Sequence, residues 1–206
     1  MSETSSISSG STVGSGNRVL QLASRGEWAT LEQALKSIDK GDRDISHTDE
    51  DGRTALHIAA AHSKEEIIRL LLAKKWDPNL TGGHKDQLPL HFAAGRTSGT
   101  LNIVQMLLKS SNKDARLMQD KDGCIPLFLS AEASNIGVCK ELLGINADLQ
   151  LRTQRKDNGD TVLHVCCRKK DVELAKLMVE FGAGADFQNV SKHWYRTTLT
   201  NYTVTL

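Results

Sequence analysis

Apolar residues fall along this chain in pairs of short helical stripes, each pair preceded by a polar, turn-forming stretch. In residues 55–60 and 67–72, Leu56, Ile58 and Ala59 are followed by Ile67, Ile68, Leu71 and Leu72, the spacing of two amphipathic helices. The pattern recurs at 88–94 with 103–108, at 125–131 with 138–143, and at 161–167 with 174–179. The marker residues Leu56, Leu90, Leu127 and Leu163 stand 34, 37 and 36 residues apart. Upstream, Val19, Leu20, Leu22, Ala23, Leu31, Ala34, Leu35 and Ile38 keep helical spacing on both sides of Gly26, with no turn stretch ahead of them. The pattern predicts four turn-helix-helix units and a turnless helix pair in front.

A turn and two short helices at a period of about 33 residues, with a T-P-L-H-x-A signature, define the ankyrin repeat. Thr54-Ala55-Leu56-His57-Ile58-Ala59 and its three copies identify the chain as a member of that family. The resemblance implies an all-α ankyrin-repeat solenoid of about four repeats with an N-terminal helical cap. Such an array needs the cap, because each unit contacts only its neighbours and an open end would expose an apolar face. The expected organisation is a disordered Ser/Gly-rich leader at 1–16, a cap at 17–38 and a polar connector at 39–50. Four repeats follow at about 51–80, 85–118, 122–150 and 158–189, and then a divergent tail at 190–206.

Local signals sharpen this picture. Asn17 is expected to cap the first helix and Trp28 to anchor its turn. In repeat one, Asp51-Gly52 supplies a turn and Thr54-x-x-His57 a capping box with imidazole in place of carboxylate; Ser63-Lys64-Glu65-Glu66 reads as a second box. Repeat two has Asp86 for the turn glycine, Leu88 for the threonine, Pro89 at the first helical position, and a longer loop at 95–100. Repeat three has Ile125 and Phe128 where the Thr-His pair should be, whereas repeat four restores Thr161 and His164. Gly182 is expected to end the last helix. Beyond it the Thr-rich, β-branched tail breaks the period, so the array is expected to stop in mid-course. That would leave Leu174, Leu177 and Met178 exposed and open to self-association.

Charged residues make up 25% of the 206 and the net charge is +1, which gives no general attraction to nucleic acid or membrane. No apolar run approaches the roughly 20 residues of a membrane span, and the N-terminus lacks a signal-peptide core. Cys124, Cys139, Cys166 and Cys167 lack C-x-x-C spacing and substitute for small apolar residues; reduced thiols point to a cytoplasmic setting. His57, His91 and His164 recur one repeat apart, too far to share a metal, and each is expected to bond to its own turn. With no nucleophile elbow or phosphate loop, neither an enzyme nor a cofactor is expected.

What remains is surface. Turn tips and first helices line the concave face on which solenoids bind partners. The contact candidates are Glu50, Arg53, His62, Lys85, Gln87, Arg96, Lys121, Glu132, Asp157, Asp160, Arg168 and Lys169. Their mixed signs suit a specific protein partner over a polyanion. Arg168-Lys169-Lys170, with Arg152, Arg155 and Lys156, forms a local basic cluster that could meet an acidic partner.

Several departures from the repeat pattern carry a narrower likeness. Asn17-Arg18-Val19-Leu20-Gln21-Leu22-Ala23, Thr81-Gly82-Gly83, Arg96-Thr97-Ser98-Gly99-Thr100, Lys113-Asp114-Ala115-Arg116-Leu117 and Arg168-Lys169-Lys170-Asp171-Val172 resemble the start of the ankyrin arm of TRPN mechanosensory channels. That resemblance, over roughly 17–189, implies a cytoplasmic array beneath the plasma membrane that tethers microtubules. A purely structural section of a longer elastic array is the alternative.

Overall fold

The computed structural model describes residues 15–38 and 47–184; the expectations for 1–14, 39–46 and 185–206 lie outside the described residues. Among the described residues, five helix pairs follow one another: α1 (Ser15–Arg25) with α2 (Trp28–Ser37), α3 (Ala55–Ala61) with α4 (Glu65–Ala73), α5 (Pro89–Ala94) with α6 (Leu101–Ser110), α7 (Pro126–Glu132) with α8 (Ile136–Leu143), and α10 (Val162–Lys169) with α11 (Val172–Glu180). A short α9 (Ala147–Arg152) lies between the last two pairs. First helices stack in the order α1-α3-α5-α7-α10 and second helices in the order α2-α4-α6-α8. The stack is the all-α solenoid that the spacing predicts.

Close stacking requires small or flat side chains, and α3 supplies them: Ala55, Leu56, Ile58, Ala59 and Ala60 are all buried. Second helices contribute the larger side chains. Ile68, Leu71, Ile103, Leu107 and Leu142 are fully enclosed, and each such burial stabilises by about 1.5–3 kcal/mol. Trp28 is half-buried at the start of α2, its ring 5.3 Å from the His62 ring with the Lys64 ammonium 5.3 Å from its centroid. It thereby fastens the first pair to the inter-helix loop of the second.

Several local expectations need correction. The first helix begins at Ser15, inside the stretch assigned to the leader, so Asn17 is a helical residue whose Oδ1 accepts from Gln21 Nε2 one turn on (3.4 Å). Ser63 does not cap α4: it sits at φ +53°, ending the preceding turn, and Lys64 is the N-cap. Glu65 and Glu66 instead pair with Arg69 at 3.0 and 2.9 Å. Repeat three continues past residue 150, because α9 tucks the Gln150 amide under the end of α8, where Nε2 donates to Leu142 O and Ile145 O (2.8 Å each). Leu174, Leu177 and Met178 are buried against the body of the array; the apolar residues of α11 and its C-cap that face outward are Val179 and Phe181.

Other expectations match. Asp86 takes the glycine's place with φ +52°, Pro89 opens α5, and Phe128 is fully buried. Gly182, at φ +97°, closes the last helix with Ala183 N donating to Met178 O (2.9 Å). No helix among the described residues is long and apolar enough to cross a membrane.

Candidate partner-binding face

Turns one and three, ahead of α3 and α7, are built alike. In turn one, Asp49 Oδ1 accepts from Asp51 N (3.1 Å) and Arg53 N (2.8 Å), while Asp49 N donates to Arg53 O (3.0 Å). In turn three, Asp120 Oδ1 accepts from Asp122 N (3.0 Å) and Cys124 N (2.8 Å), while Asp120 N donates to Cys124 O (2.9 Å). A single carboxylate thus holds each loop closed from inside.

Neighbouring turns are joined by a backbone ladder. Gly83 N donates to Asp51 O (2.8 Å), Lys121 N to Lys85 O (2.9 Å) and Lys156 N to Asp122 O (2.8 Å). Ion pairs run beside it, Lys85 to Asp122 at 2.7 Å and Lys121 to Asp86 at 3.3 Å. Close approach is required: a Cβ on Gly82 would lie 2.3 Å from Gly52 O, and one on Gly123 2.9 Å from Lys156 N.

The histidines add a second set of ties. His57 Nδ1 accepts from Thr54 N (3.0 Å), which puts the ring proton on Nε2, and Nε2 donates to Gln87 O in the next repeat (2.9 Å). His91 repeats the arrangement with Leu88 N (3.1 Å) and Cys124 O (3.2 Å). His57 and His91 therefore each span two units, where the sequence pointed only to their own turns, while His164 Nδ1 accepts from Thr161 N in its own turn (3.2 Å). Burial is the main reason that the His57 pKa falls to about 4 and the His91 pKa also falls; the carbonyls they face oppose the shift. Phe128 makes no such tie. In its place the joint between repeats three and four uses ions: Arg155 binds Glu132 (2.9 Å) and Asp157 (3.0 Å), and the Lys169 ammonium donates to Glu132 O and Ser134 Oγ.

These ties sort the contact candidates. Glu50, His62, Lys85, Arg96, Lys121, Glu132, Asp157, Arg168 and Lys169 are exposed, and Arg53 and Gln87 half-buried. Asp160 is no surface residue. It is 1% exposed, and its carboxylate accepts from Arg168 and from Asn158 Nδ2 (3.2 Å). Gln87 is a strut, its Nε2 donating to the buried Asp120 at 2.7 Å. Arg155, Arg168 and Lys169, three members of the basic cluster, are thus held by groups within the array. Between the first helices, the half-buried Phe92 and Leu129 and the nearly buried Ile58 give the inner face an apolar floor. A cavity of about 130 Å³ opens there among Ser24, Arg53, His57, Ile58, Ala61, His62 and Phe92.

The cysteines take no part in this face as reactive groups. Burial pushes Cys124 and Cys139 up to about 11 and raises Cys166 and Cys167 as well.

A family model for ankyrin repeats (three copies) matches residues 19–117 and again 90–191. The chain belongs to the ankyrin repeat family. Relatives of this ankyrin array include neurogenic locus notch homolog protein 1 of Mus musculus, 31% identical over 146 residues. That match covers 70% of this chain and 5% of the mouse protein. The Xenopus laevis protein of the same name is 27% identical over 163 residues, 79% of this chain and 6% of its own length. Notch homolog protein 2 of Homo sapiens is 30% identical over 146 residues, again 70% of the chain and 6% of the relative. The array thus corresponds to a small section of these curated relatives. They are Notch proteins, not the TRPN channels that the idiosyncratic segments resemble.

Proposed function

We propose that this array is a protein-interaction module whose working surface is the face made by turn tips and first helices. The observation that carries this is the backbone ladder: it fixes the tips of four turns at set spacing, so side chains on them form one preorganised surface. Preorganisation lowers the ordering cost of association. The contacts lie among Glu50, Arg53, His62, Lys85, Arg96, Lys121, Glu132 and Asp157, with Phe92 and Leu129 as the apolar floor. A photo-crosslinking side chain at Arg96, on the inner rim, should trap a partner from cell extract, while one at Lys109, exposed on α6, should not. Adducts from Lys109 alone would place the working surface elsewhere.

A narrower form of this reading is cytoskeletal tethering, which the TRPN-like segments support. It predicts co-sedimentation with microtubules that Arg96→Glu or Lys121→Glu weakens. Arg168→Glu and Lys169→Glu are poorer probes, since Arg168 is held by Asp160 of its own repeat and Lys169 serves the joint between the last two repeats.

A further inference from the structure

Among the described residues, the ladder has an unfilled first rung. Lys121, six residues before Leu127, donates its amide to the preceding turn, and Glu50 holds the equivalent place six residues before Leu56. Turns one and three share their internal pattern, Asp49 N to Arg53 O and Asp120 N to Cys124 O, so the equivalence is geometric as well as sequential. Among the described residues, no turn stands ahead of the α1–α2 pair. In the place where one would lie, a cleft of about 510 Å³ opens between α1 and turn one, lined by Asn17, Leu20, Gln21, Arg25, Glu50 and Arg53 among others. Among the described residues, neither the Glu50 amide nor its carboxylate has a hydrogen-bond or ion-pair partner.

We propose that this cleft receives an extended segment of a partner protein, bearing a Lys or Arg, that supplies the missing rung. One of its carbonyls would accept from Glu50 N, as Lys85 O accepts from Lys121 N. Adding an extended strand to an open row of donors is an established way to bind peptides, with the main chain supplying affinity and side chains selectivity. The sign of the charge follows from the same equivalence. Lys121 reaches back to Asp86 on the preceding turn (3.3 Å). Glu50 reverses that charge, so the residue it meets should be a cation. Arg53 does not neutralise Glu50, because its Nε and Nη2 are taken by Asp49 (2.9 Å) and Asp51 (3.2 Å).

This inference rests on the reading of the array as a protein-binding module, and its test separates the two. The full chain, ¹⁵N-labelled, is titrated to millimolar concentration with a decapeptide of alternating Lys and Thr, and in parallel with a Glu-Thr decapeptide. The Lys peptide should shift the amides of Glu50, Asp51 and Gln21 and slow exchange at Glu50; the Glu peptide should not. Glu50→Lys should exchange the two preferences. Glu50→Pro should abolish binding: Gly52 N donates to Asp49 O (2.9 Å), making Glu50 the second residue of a β-turn, where Pro is tolerated but lacks the donor. Unchanged dispersion of the remaining amides shows that the variant is folded. Three results would overturn the proposal: no shifts at millimolar Lys peptide, binding that survives Glu50→Pro, or a Glu50 amide already protected in the free chain. A partner crosslinked at Arg96 despite any of these would leave the broader module reading standing.

Discussion

Replacing His57 by Phe tests the inter-repeat ties with a residue that the array itself uses at the equivalent place, Phe128. The ring volume is roughly kept, so the loss is polar. Thr54 N, in a residue 1% exposed, loses its acceptor His57 Nδ1. Gln87 O loses the Nε2–H donor but keeps Gly82 N at 2.9 Å. One stranded buried donor costs about 1–3 kcal/mol, which is the expected loss at pH 7. Acid should change the comparison. The native pKa near 4 lies below the ordinary 6.5, so between these values the unfolded chain binds the extra proton. Stability from neutral His57 is therefore complete above pH 6.5 and drains away as pH falls towards 4. From pH 7 to pH 5 the wild type should lose about 2 kcal/mol at this residue alone; the variant loses none of it. Urea titrations followed by circular dichroism at pH 7 and pH 5, on both proteins, measure the difference. A gap that stays constant between the two pH values, or a loss below about 0.5 kcal/mol at pH 7, would refute the buried neutral imidazole.

Other consequences are as direct. Leu71→Ala or Leu142→Ala empties a fully buried site in a second helix and should cost about 2–5 kcal/mol in the same titration. Gly82→Ala drives a Cβ into Gly52 O at 2.3 Å, whereas Gly99→Ala meets nothing within 4 Å and bears only the strain of φ +73°; calorimetry should show the larger drop in Tm for Gly82→Ala. At pH 8 a thiol reagent should label Cys167, the half-buried one, ahead of Cys124, Cys139 and Cys166, and all four in denaturant. Fast native labelling of Cys139 would mean that α7 and α8 are not packed as described.

How much was legible in the sequence follows from where each interaction lies along the chain. Helix pairs were readable because apolar spacing is local. The turn role of Asp86 was readable because it stands in register with Gly52. The D-x-D-G of Asp49–Gly52 and Asp120–Gly123 also carried the internal carboxylate of each turn, a signal left unused. Ties across repeats were not legible. The reach of His57 Nε2 to residue 87, and of Gln87 to Asp120, depends on how far one unit is offset from the next, which no single repeat encodes. Asp160 was misplaced for a different reason: its partner Arg168 lies within the same repeat, near the far end of α10, and only the folded turn brings the two together. Repeat three misled most. Its lost Thr-His pair was plain, but the helix α9 that follows answers to Gln150 reaching back beneath α8.

Amide exchange at four turn positions bears most directly on whether successive turns form one continuous face. Gly83, Lys121 and Lys156 donate to the turn before them, and their amides should exchange far more slowly than that of Glu50 in the free 206-residue chain at neutral pH. Rates for the three that match Glu50 would mean the turns stand apart, and the preorganised face would be lost with them.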